Sequence, residues 1–340
     1  KSLAHTITRI ADETQRTRQD ADLAIANAVD RVNSALKQIE RLNADIARAV
    51  ASGRDASALE DQRKVLVDDI ARLVPMREVA RQGGTIDLIT DEGVFLIAGT
   101  AREIEFTRSG VITADLSYPG GLSGLAVNGI NITPGGGGSQ TIRQGELAGL
   151  FAVRDEVAPA VQRQLDALAR DLIERFEGLD ATLPPGAPGL FTDAGAAFDP
   201  LNETGLAVDP GQGGALWRLR DGLGAATEGP AGDAAFARAM LDSFTALRTA
   251  PPGAGLAGVM SAAQMAAGVS STVGTARMTA EANLASSSAR AAAVADAELA
   301  VTGVDTDAEL QKLLLVEQAF AANARVIQAA KEMIERLMDL

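Results

Sequence analysis

The amino-acid sequence predicts a mainly α-helical protein with a small antiparallel β subdomain, and three observations support this prediction. Aromatic residues make up only 3% of the 340 residues, while alanine, the strongest helix former, is the commonest residue. Near both ends of the chain, apolar residues recur at alternating spacings of three and four, a pattern typical of paired helices. Between these ends, glycines separate short β-branched runs. We therefore expect long antiparallel helices, with the N- and C-terminal helices paired as in a coiled coil.

Residues 1–80 are predicted to form an N-terminal helical hairpin. No proline or glycine occurs between Ile7 and Val50, and a second helix is expected to start with the capping box at residues 57–60 and to run to Val74. The first helix carries an apolar seam that we expect to pack within the molecule. The residues of this intramolecular seam are Val29, Val32, Leu36, Ile39, Asn43 and Ile46.

Residues 83–148 are predicted to form the small β-rich subdomain. The runs TIDLIT, VFLIAG, EIEFTR and GVITADL lie between glycines and predict the strands of one antiparallel sheet. Residues 149–178 are predicted to be a helix that packs on the helical body. The periodic pattern of this helix begins at about Glu146, and Pro159 predicts a kink in it.

The remaining chain is divided by its proline and glycine content. Residues 179–255 are rich in both and predict loops with one short helix, whereas residues 256–304 predict a long alanine-rich helical region. Residues 305–340 form the C-terminal block, which starts with a second capping box at residues 306–309. The seam of this block consists of Leu313, Val316, Phe320, Asn323, Ile327, Ile334 and Leu337. Each terminal seam holds one asparagine, and a polar seam residue can fix the register of two helices.

Composition excludes several kinds of function. The net charge of -14 disfavours nucleic acid, and we expect no Lys/Arg-rich patch that would offset it. The chain has no cysteine and one histidine, His5, so we expect no metal site and no cofactor. It has no apolar run long enough to cross a membrane, and no membrane partner is expected. The adjacent acids Asp155 and Glu156 lie near a helix start, where the helix dipole favours negative charge. We therefore predict no catalytic residues and no enzymatic activity.

Three spaced segments resemble a known family. The C-terminal block resembles that of bacterial flagellar axial proteins, through Glu317-Gln318-Ala319-Phe320, Asn323-Ala324-Arg325-Val326-Ile327 and Met333-Ile334 followed by Leu337. Residues 39–68 are similar to the helical domain of the hook-filament junction proteins, the first hook-associated protein family, in the stretches 39–46, 51–55 and 59–68. The segment from Gln144 to Asp155, QGELAGLFAVRD, is similar to a Gly-Gly-Glu-Leu-Gly-Gly-Leu-x-x-x-Arg-Asp segment of the same family.

The resemblance implies a structural subunit of the bacterial flagellum that joins the hook to the filament. Such a protein is exported by the flagellar secretion apparatus and lies outside the cell. The implied partners are copies of itself in a ring, the hook protein, a second junction protein toward the filament and an export chaperone. The C-terminal seam would then be an assembly surface. We also expect the chain to lack the N-terminal polymerisation helix of the family, so that residues 313–337 are partly exposed or mobile.

Two alternatives stay open. Hook, rod and filament-cap proteins share the terminal seams, so another flagellar axial protein is the second interpretation. An extracellular cell-wall hydrolase is the third, with Asp155 as its candidate carboxylate, although such an enzyme requires a pair of carboxylates in a cleft.

Overall fold

The computed structural model describes residues 2–187, 189–193, 206–208, 217–256, 258–302 and 306–338. The chain divides into two compact units, Lys1–Ala276 and Arg277–Leu340. Helices dominate the described residues and the antiparallel sheets are small. The predicted mainly helical class with a small β part is therefore confirmed.

The first unit begins with a helical hairpin. Helix α1 spans Ser2–Ala51, and helix α2 spans Ser57–Ala71, which ends three residues before the predicted end at Val74. The capping box is also corrected, because Ser57 lies inside the helix and makes no cap. The carboxylate of Asp55 instead accepts hydrogen bonds from the backbone N–H of Ser57 at 3.0 Å and from its hydroxyl at 2.9 Å. These two bonds lower the pKa of Asp55 below its usual value.

The strands between Met76 and Asn131 form two sheets rather than the one that was predicted. The first sheet has the order β1-β2-β3-β4, and the second has the order β5-β6-β7. The strands are β1 (Met76–Ala80), β2 (Ile86–Thr90), β3 (Phe95–Ala98), β4 (Thr100–Ala101), β5 (Ile104–Glu105), β6 (Ala126–Val127) and β7 (Ile130–Asn131). Asn128 and Gly129 join β6 to β7 with φ angles of 49° and 75°, as a two-residue turn between twisted strands requires.

The predicted strand in residues 110–116 is wrong, and strand β1 was missed. Residues 111–113 belong to no helix or strand. The carbonyl oxygens of Thr113 and Leu116 instead accept hydrogen bonds from the buried side chain of Arg18. The guanidinium of Arg18 thus donates the hydrogen bonds that the backbone of a neighbouring strand would otherwise donate. Strand β1 was missed because its sequence, MREVA, has only one β-branched residue.

The helix predicted from Glu146 consists of three parts. Helix α3 (Glu146–Ala152) is followed by a wider π-helical turn (Val153–Val157) and by helix α4 (Ala158–Glu177). Pro159 has no N–H to donate and lies in the first turn of α4, where that donor is not needed. The predicted kink therefore takes the form of the π-helical turn just before the proline.

Among the described residues, two large apolar cores and a small third cluster around Ile46 stabilise the first unit. The larger joins α1 and α2 to the strands and α3, and it includes Val29, Val32, Leu36 and Ile39. The second joins the start of α1 to α4 and to residues between 191 and 269. The seam of α1 is thus covered by α2 and the β segment, in place of the C-terminal helix that the sequence predicted as its partner. Local neighbours compete first for an apolar face because closing a short loop costs less chain entropy than closing a long one.

The described residues after α4 form two short strand pairs, two short helices and two long helices. Strands β8 (Phe191–Asp193) and β9 (Leu206–Val208) pair, as do β10 (Arg248–Thr249) and β11 (Val259–Met260), and the short helices are α5 (Arg218–Asp221) and α6 (Ala235–Thr245). The predicted alanine-rich region forms helix α7 (Ala262–Thr302), which begins in the first unit, and helix α8 (Thr306–Met338) belongs to the second.

Candidate assembly surface and the polar contacts behind it

Helix α8 presents a stripe of large apolar side chains to solvent. Leu313, Val316, Phe320 and Ile327 are exposed to 66%, 68%, 76% and 70%, and Asn323 on the same face is also exposed. At 3.6 residues per turn, these residues lie within about 80° of one another around the helix. The backbone at Ile334 and Leu337 continues the helix, but their side chains lie outside the described residues. We call the predicted seven-residue set the terminal stripe.

The second unit has no buried side chain among its described residues. Every described side chain from Arg277 onward is exposed, including Leu284 and Leu299 of α7. Burying a large apolar side chain stabilises a protein by roughly 1.5–3 kcal/mol. The terminal stripe therefore offers a large free energy of association to a partner that covers it.

The seam of α1, in contrast, is buried within the first unit. The five apolar members predicted from the sequence are at most 4% exposed, and Asn43 is 5% exposed. The amide of Asn43 donates to the carbonyl of Ile86 at 2.8 Å and accepts from the N–H of Ile86 at 3.2 Å. Its oxygen also accepts a hydrogen bond from Arg63 at 2.9 Å. This asparagine therefore fixes the start of strand β2 on α1 and, through Arg63, also joins α1 to helix α2.

A second asparagine, which the sequence analysis missed, does the same ten residues earlier. Asn33 donates to the carbonyl of Ile104 at 2.9 Å and accepts from the N–H of Ile104 at 2.8 Å. Both β sheets are therefore attached to α1 through a reciprocal pair of backbone hydrogen bonds. The signal in the sequence was an asparagine next to an apolar seam position, which is too common to be informative alone.

A buried ion pair joins α1 to the π-helical turn. The guanidinium of Arg154 donates to the carboxylate of Asp22 at 2.6 Å, and both side chains are at most 1% exposed. Arg154 also forms two hydrogen bonds with Asp155, at 3.0 and 2.9 Å, and donates to the carbonyl of Ser123 at 2.9 Å. Its guanidinium lies 4.5 Å from the centre of the Phe151 ring. The Arg154-Asp155 pair that carries the family resemblance is thus a structural contact in this chain.

Arg18 extends this network by one turn of α1. Its guanidinium donates to the carbonyl of Arg154 at 3.1 Å and to the carbonyls of Thr113 and Leu116 at 3.1 and 2.5 Å. Burial is the largest influence on the pKa of Arg18 and lowers it; the charge of Arg154 adds to this effect, whereas Asp155 and Asp115 oppose it. Neither Arg18 nor Asp22 was singled out from the sequence, because only the fold brings them to Arg154.

The described residues offer little for catalysis or for metal binding. The carboxylate of Asp155, the candidate for a hydrolase, is bound on both oxygens by Arg154. Within the described ranges, no group of three or more acidic or histidine side chains could hold a metal ion. None of the described helices combines the length and the apolar character needed to span a membrane.

These observations define a class of protein: a mainly helical protein whose first unit has its own apolar cores and whose C-terminal helix exposes an apolar stripe. Comparison with known protein families narrows this class. Residues 1–182, more than half of the chain, match the family described as "Flagellar hook-associated protein FlgK helical domain", and the chain belongs to this family. Residues 298–340 match a second family, described as "Flagellar basal body rod FlgEFG protein C-terminal". The resemblance inferred from the sequence is confirmed.

Two curated relatives carry the description "Flagellar hook-associated protein 1". The protein from Escherichia coli K12 is 28% identical over 163 residues, which cover 46% of this chain and 28% of the relative. The protein from Salmonella typhimurium LT2 is 26% identical over 213 residues, which cover 56% of this chain and 36% of the relative. The chain thus matches about a third of the length of these relatives. A solved structure of the flagellar hook junction protein FlgK from Burkholderia pseudomallei aligns with a TM-score of 0.41 at 22% identity, covering 56% of this chain and 34% of that one.

Proposed function

We propose that this chain is a structural subunit of the bacterial flagellum that joins the hook to the filament, outside the cell. Two features support this function together: the family match of the first unit and the exposed terminal stripe in the segment that matches the flagellar rod C-terminal family. In this proposal the terminal stripe becomes buried against neighbouring subunits, while the seam of α1 keeps the body rigid. The body would consist of the predicted segments 1–80, 83–148 and 149–178. The assembly helix would be 305–340, and the chain between the body and this helix would consist of 179–255 and 256–304.

The proposed partners are other copies of this chain in a ring, the hook protein and a second junction protein toward the filament. Export through the flagellar secretion apparatus, with a chaperone that protects the terminal stripe before assembly, is part of the same proposal. The chain acts as an adaptor and has no enzymatic role. The bidentate contact of Arg154 with Asp155 supports this view, because both oxygens of that carboxylate are already engaged in a structural contact.

The test is electron microscopy of cells that lack the gene, with a measurement of flagellin in the medium. The proposal predicts hooks without filaments and flagellin lost to the medium, both corrected when the gene is restored. Normal filaments in the deletion strain would contradict the proposal.

A pair of variants tests the role of the terminal stripe. Leu313 and Leu315 are almost equally exposed, at 66% and 69%, but they point to nearly opposite sides of α8. Leu313→Asp places a charge in the terminal stripe and is expected to abolish filament formation in the complemented strain. Leu315→Asp is the matched control and is expected to retain it. Equal loss in both variants would mean that helix α8 does not act through this stripe.

The second candidate is another flagellar axial protein, which the match of residues 298–340 to the rod family favours. Loss of the hook itself in the deletion strain would support that candidate. A cell-wall hydrolase is tested with the purified chain and its Asp155→Ala variant, and turnover that the substitution abolishes would overturn the structural function.

A further inference from the structure

The turn between β6 and β7 presents an asparagine followed by a glycine to solvent. Asn128 and Gly129 are both exposed, and their φ angles of 49° and 75° lie in the left-handed region. A two-residue hairpin turn favours the Asn-Gly sequence because both of its central residues must take a positive φ. The same sequence places a side-chain amide beside the backbone nitrogen of a residue that has no side chain to shield it.

Both groups of this pair are accessible and free to move. Within the part of the chain that the structure describes, neither the side-chain amide of Asn128 nor the N–H of Gly129 forms a hydrogen bond. Apart from the two adjacent residues, no described atom lies within 4 Å of the position that a Cβ would occupy on Gly129. Water therefore reaches both the amide carbon and the backbone nitrogen.

Most of the other described asparagines lie inside helices. There the N–H of the following residue donates to a carbonyl oxygen one turn earlier, which holds the nitrogen in place. These helical asparagines are Asn27, Asn33, Asn43, Asn283 and Asn323.

Asn131 lies three residues after Asn128 and is held in a different way. Its side-chain oxygen accepts a hydrogen bond from the N–H of Thr133 at 2.9 Å. The next residue, Ile132, is β-branched and fully buried, and its N–H donates to the carbonyl of Leu125 at 3.0 Å. Asn131 is therefore an internal reference for Asn128 within the same hairpin.

We propose that Asn128 is a site of spontaneous deamidation, with water as the co-reactant. Hydroxide ion removes the proton from the N–H of Gly129, and this nitrogen attacks the side-chain amide carbon of Asn128. A C–N bond forms there, the bond from that carbon to the amide nitrogen breaks, and ammonia leaves with a proton from water. Water then opens the cyclic imide at either of its carbonyl groups, which gives aspartate or isoaspartate. One water is consumed and one ammonia is released, with no oxidation or reduction.

The attack requires the turn to open briefly. Asn128 must rotate out of its left-handed conformation before the nitrogen of Gly129 can reach the amide carbon. Strands β6 and β7 have two residues each, and both turn residues lie outside the apolar core. Opening the tip of this hairpin therefore breaks few contacts, as is typical of exposed loop segments.

Both products change the hairpin. Each adds a negative charge to a chain whose net charge is already -14. Isoaspartate also adds one carbon to the backbone, and a two-residue turn fixes the register of its strands, so the pairing of Val127 with Ile130 must shift. Val127 is fully buried in the larger core, and Ile130 packs partly against that core. Deamidation is therefore expected to loosen this end of the second sheet.

The test is peptide mass spectrometry of the 340-residue chain after incubation at neutral and at mildly alkaline pH. Asn128 is expected to gain about one dalton, with isoaspartate among the products. The rate should increase with pH because the attacking group is the deprotonated nitrogen of Gly129. Asn131 is expected to react at least about tenfold more slowly, because the N–H of Ile132 must first leave a buried hydrogen bond.

Asn128→Gly is the matched control, because Gly-Gly also fits this turn and carries no side-chain amide. Its peptide is expected to show no mass increase after the same incubation. Hydrogen exchange measures the effect on the hairpin: the amides of Val127 and Ile130 should exchange faster in incubated wild type than in fresh wild type. No such difference is expected between incubated and fresh Asn128→Gly.

Three results would overturn the proposal. The first is an intact Asn128 in the folded chain under conditions that modify it in the urea-unfolded chain, which would mean that the folded turn protects it. The second is an equal rate at Asn128 and Asn131. The third is aspartate at position 128 without any isoaspartate, which would indicate direct hydrolysis of the amide without an imide. The deletion strain tests the proposed function separately, so either proposal can fail without the other.

Discussion

Helices α1 and α8 have nearly the same sequence pattern and opposite environments. Each carries apolar residues at alternating spacings of three and four with one asparagine among them. The apolar seam of α1 is at most 4% exposed, whereas the described apolar members of the terminal stripe on α8 are at least 66% exposed. The comparison teaches that a heptad pattern specifies an amphipathic helix but does not specify what covers it.

The contrast extends to the polar residues. Asn43 on α1 finds both backbone groups of Ile86, whereas Asn323 on α8 faces solvent. The arginine ion pairs differ in the same way: that of Arg154 with Asp22 is buried, and that of Arg277 with Glu281 in the second unit is exposed. In the first unit these polar contacts join segments that are distant in the sequence. In the second unit the ion pair of Arg277 with Glu281 joins two residues on the exposed surface of one helix.

Hydrogen exchange should give the largest difference between the two seams. Amides of residues 29–46 open only with the core around them, so we expect them to exchange at least about a thousandfold more slowly than amides of residues 313–328. The measurement is exchange at single-residue resolution in the isolated chain. Equal protection in the two helices would show that α8 is covered in solution and would remove the contrast.

Replacing one partner of an ion pair should give the next largest difference. Arg154→Met leaves the buried carboxylate of Asp22 with the N–H of Ser109 as its remaining partner, which we expect to lower the free energy of unfolding by roughly 3–5 kcal/mol. Arg277→Met, the matched change in an exposed pair, should alter it by less than about 0.5 kcal/mol. Urea unfolding followed by circular dichroism measures both. A loss below about 1 kcal/mol for Arg154→Met would mean that the buried network adds little stability.

Truncating apolar side chains compares the two seams directly. Ile39→Ala removes a side chain with no exposed surface and should cost roughly 2–5 kcal/mol of unfolding free energy. Phe320→Ala removes a larger side chain that is 76% exposed and should change the value by less than about 0.5 kcal/mol. Urea unfolding of the isolated chain provides the numbers. Comparable losses in both variants would indicate that the terminal stripe already has a partner in the isolated chain.

The two asparagines should give the smallest difference. Asn43→Leu leaves the N–H and C=O of Ile86 without their side-chain partners and should cost about 1–3 kcal/mol. Asn323→Leu adds an apolar side chain to an exposed stripe and should leave the unfolding free energy within about 0.5 kcal/mol of the wild type. If Asn43→Leu instead proved stabilising, its hydrogen bonds to β2 would not be needed to hold the sheet on α1.

Much of the fold could be predicted because it depends on local signals. The absence of proline and glycine between Ile7 and Val50 predicted most of α1, and the β-branched runs predicted β2 and β3. The seam residues of α1 and α8 were identified from spacing alone. The errors arose where distant groups decide which secondary structure forms. Residues 110–116 have the sequence of a strand, but the guanidinium of Arg18 donates hydrogen bonds to two of their carbonyl groups.

The sequence by itself determined which segments are helical, which helix faces are apolar, and that the chain belongs among flagellar hook-associated proteins, because propensity, period and motif are properties of consecutive residues. Only the tertiary structure decided that the seam of α1 is covered by α2 and the sheets, and that Arg18, Asp22 and Arg154 form one buried network. The physical reason is that burial and pairing depend on which distant groups compete for the same surface. The residue pattern of one segment carries no information about those distant groups.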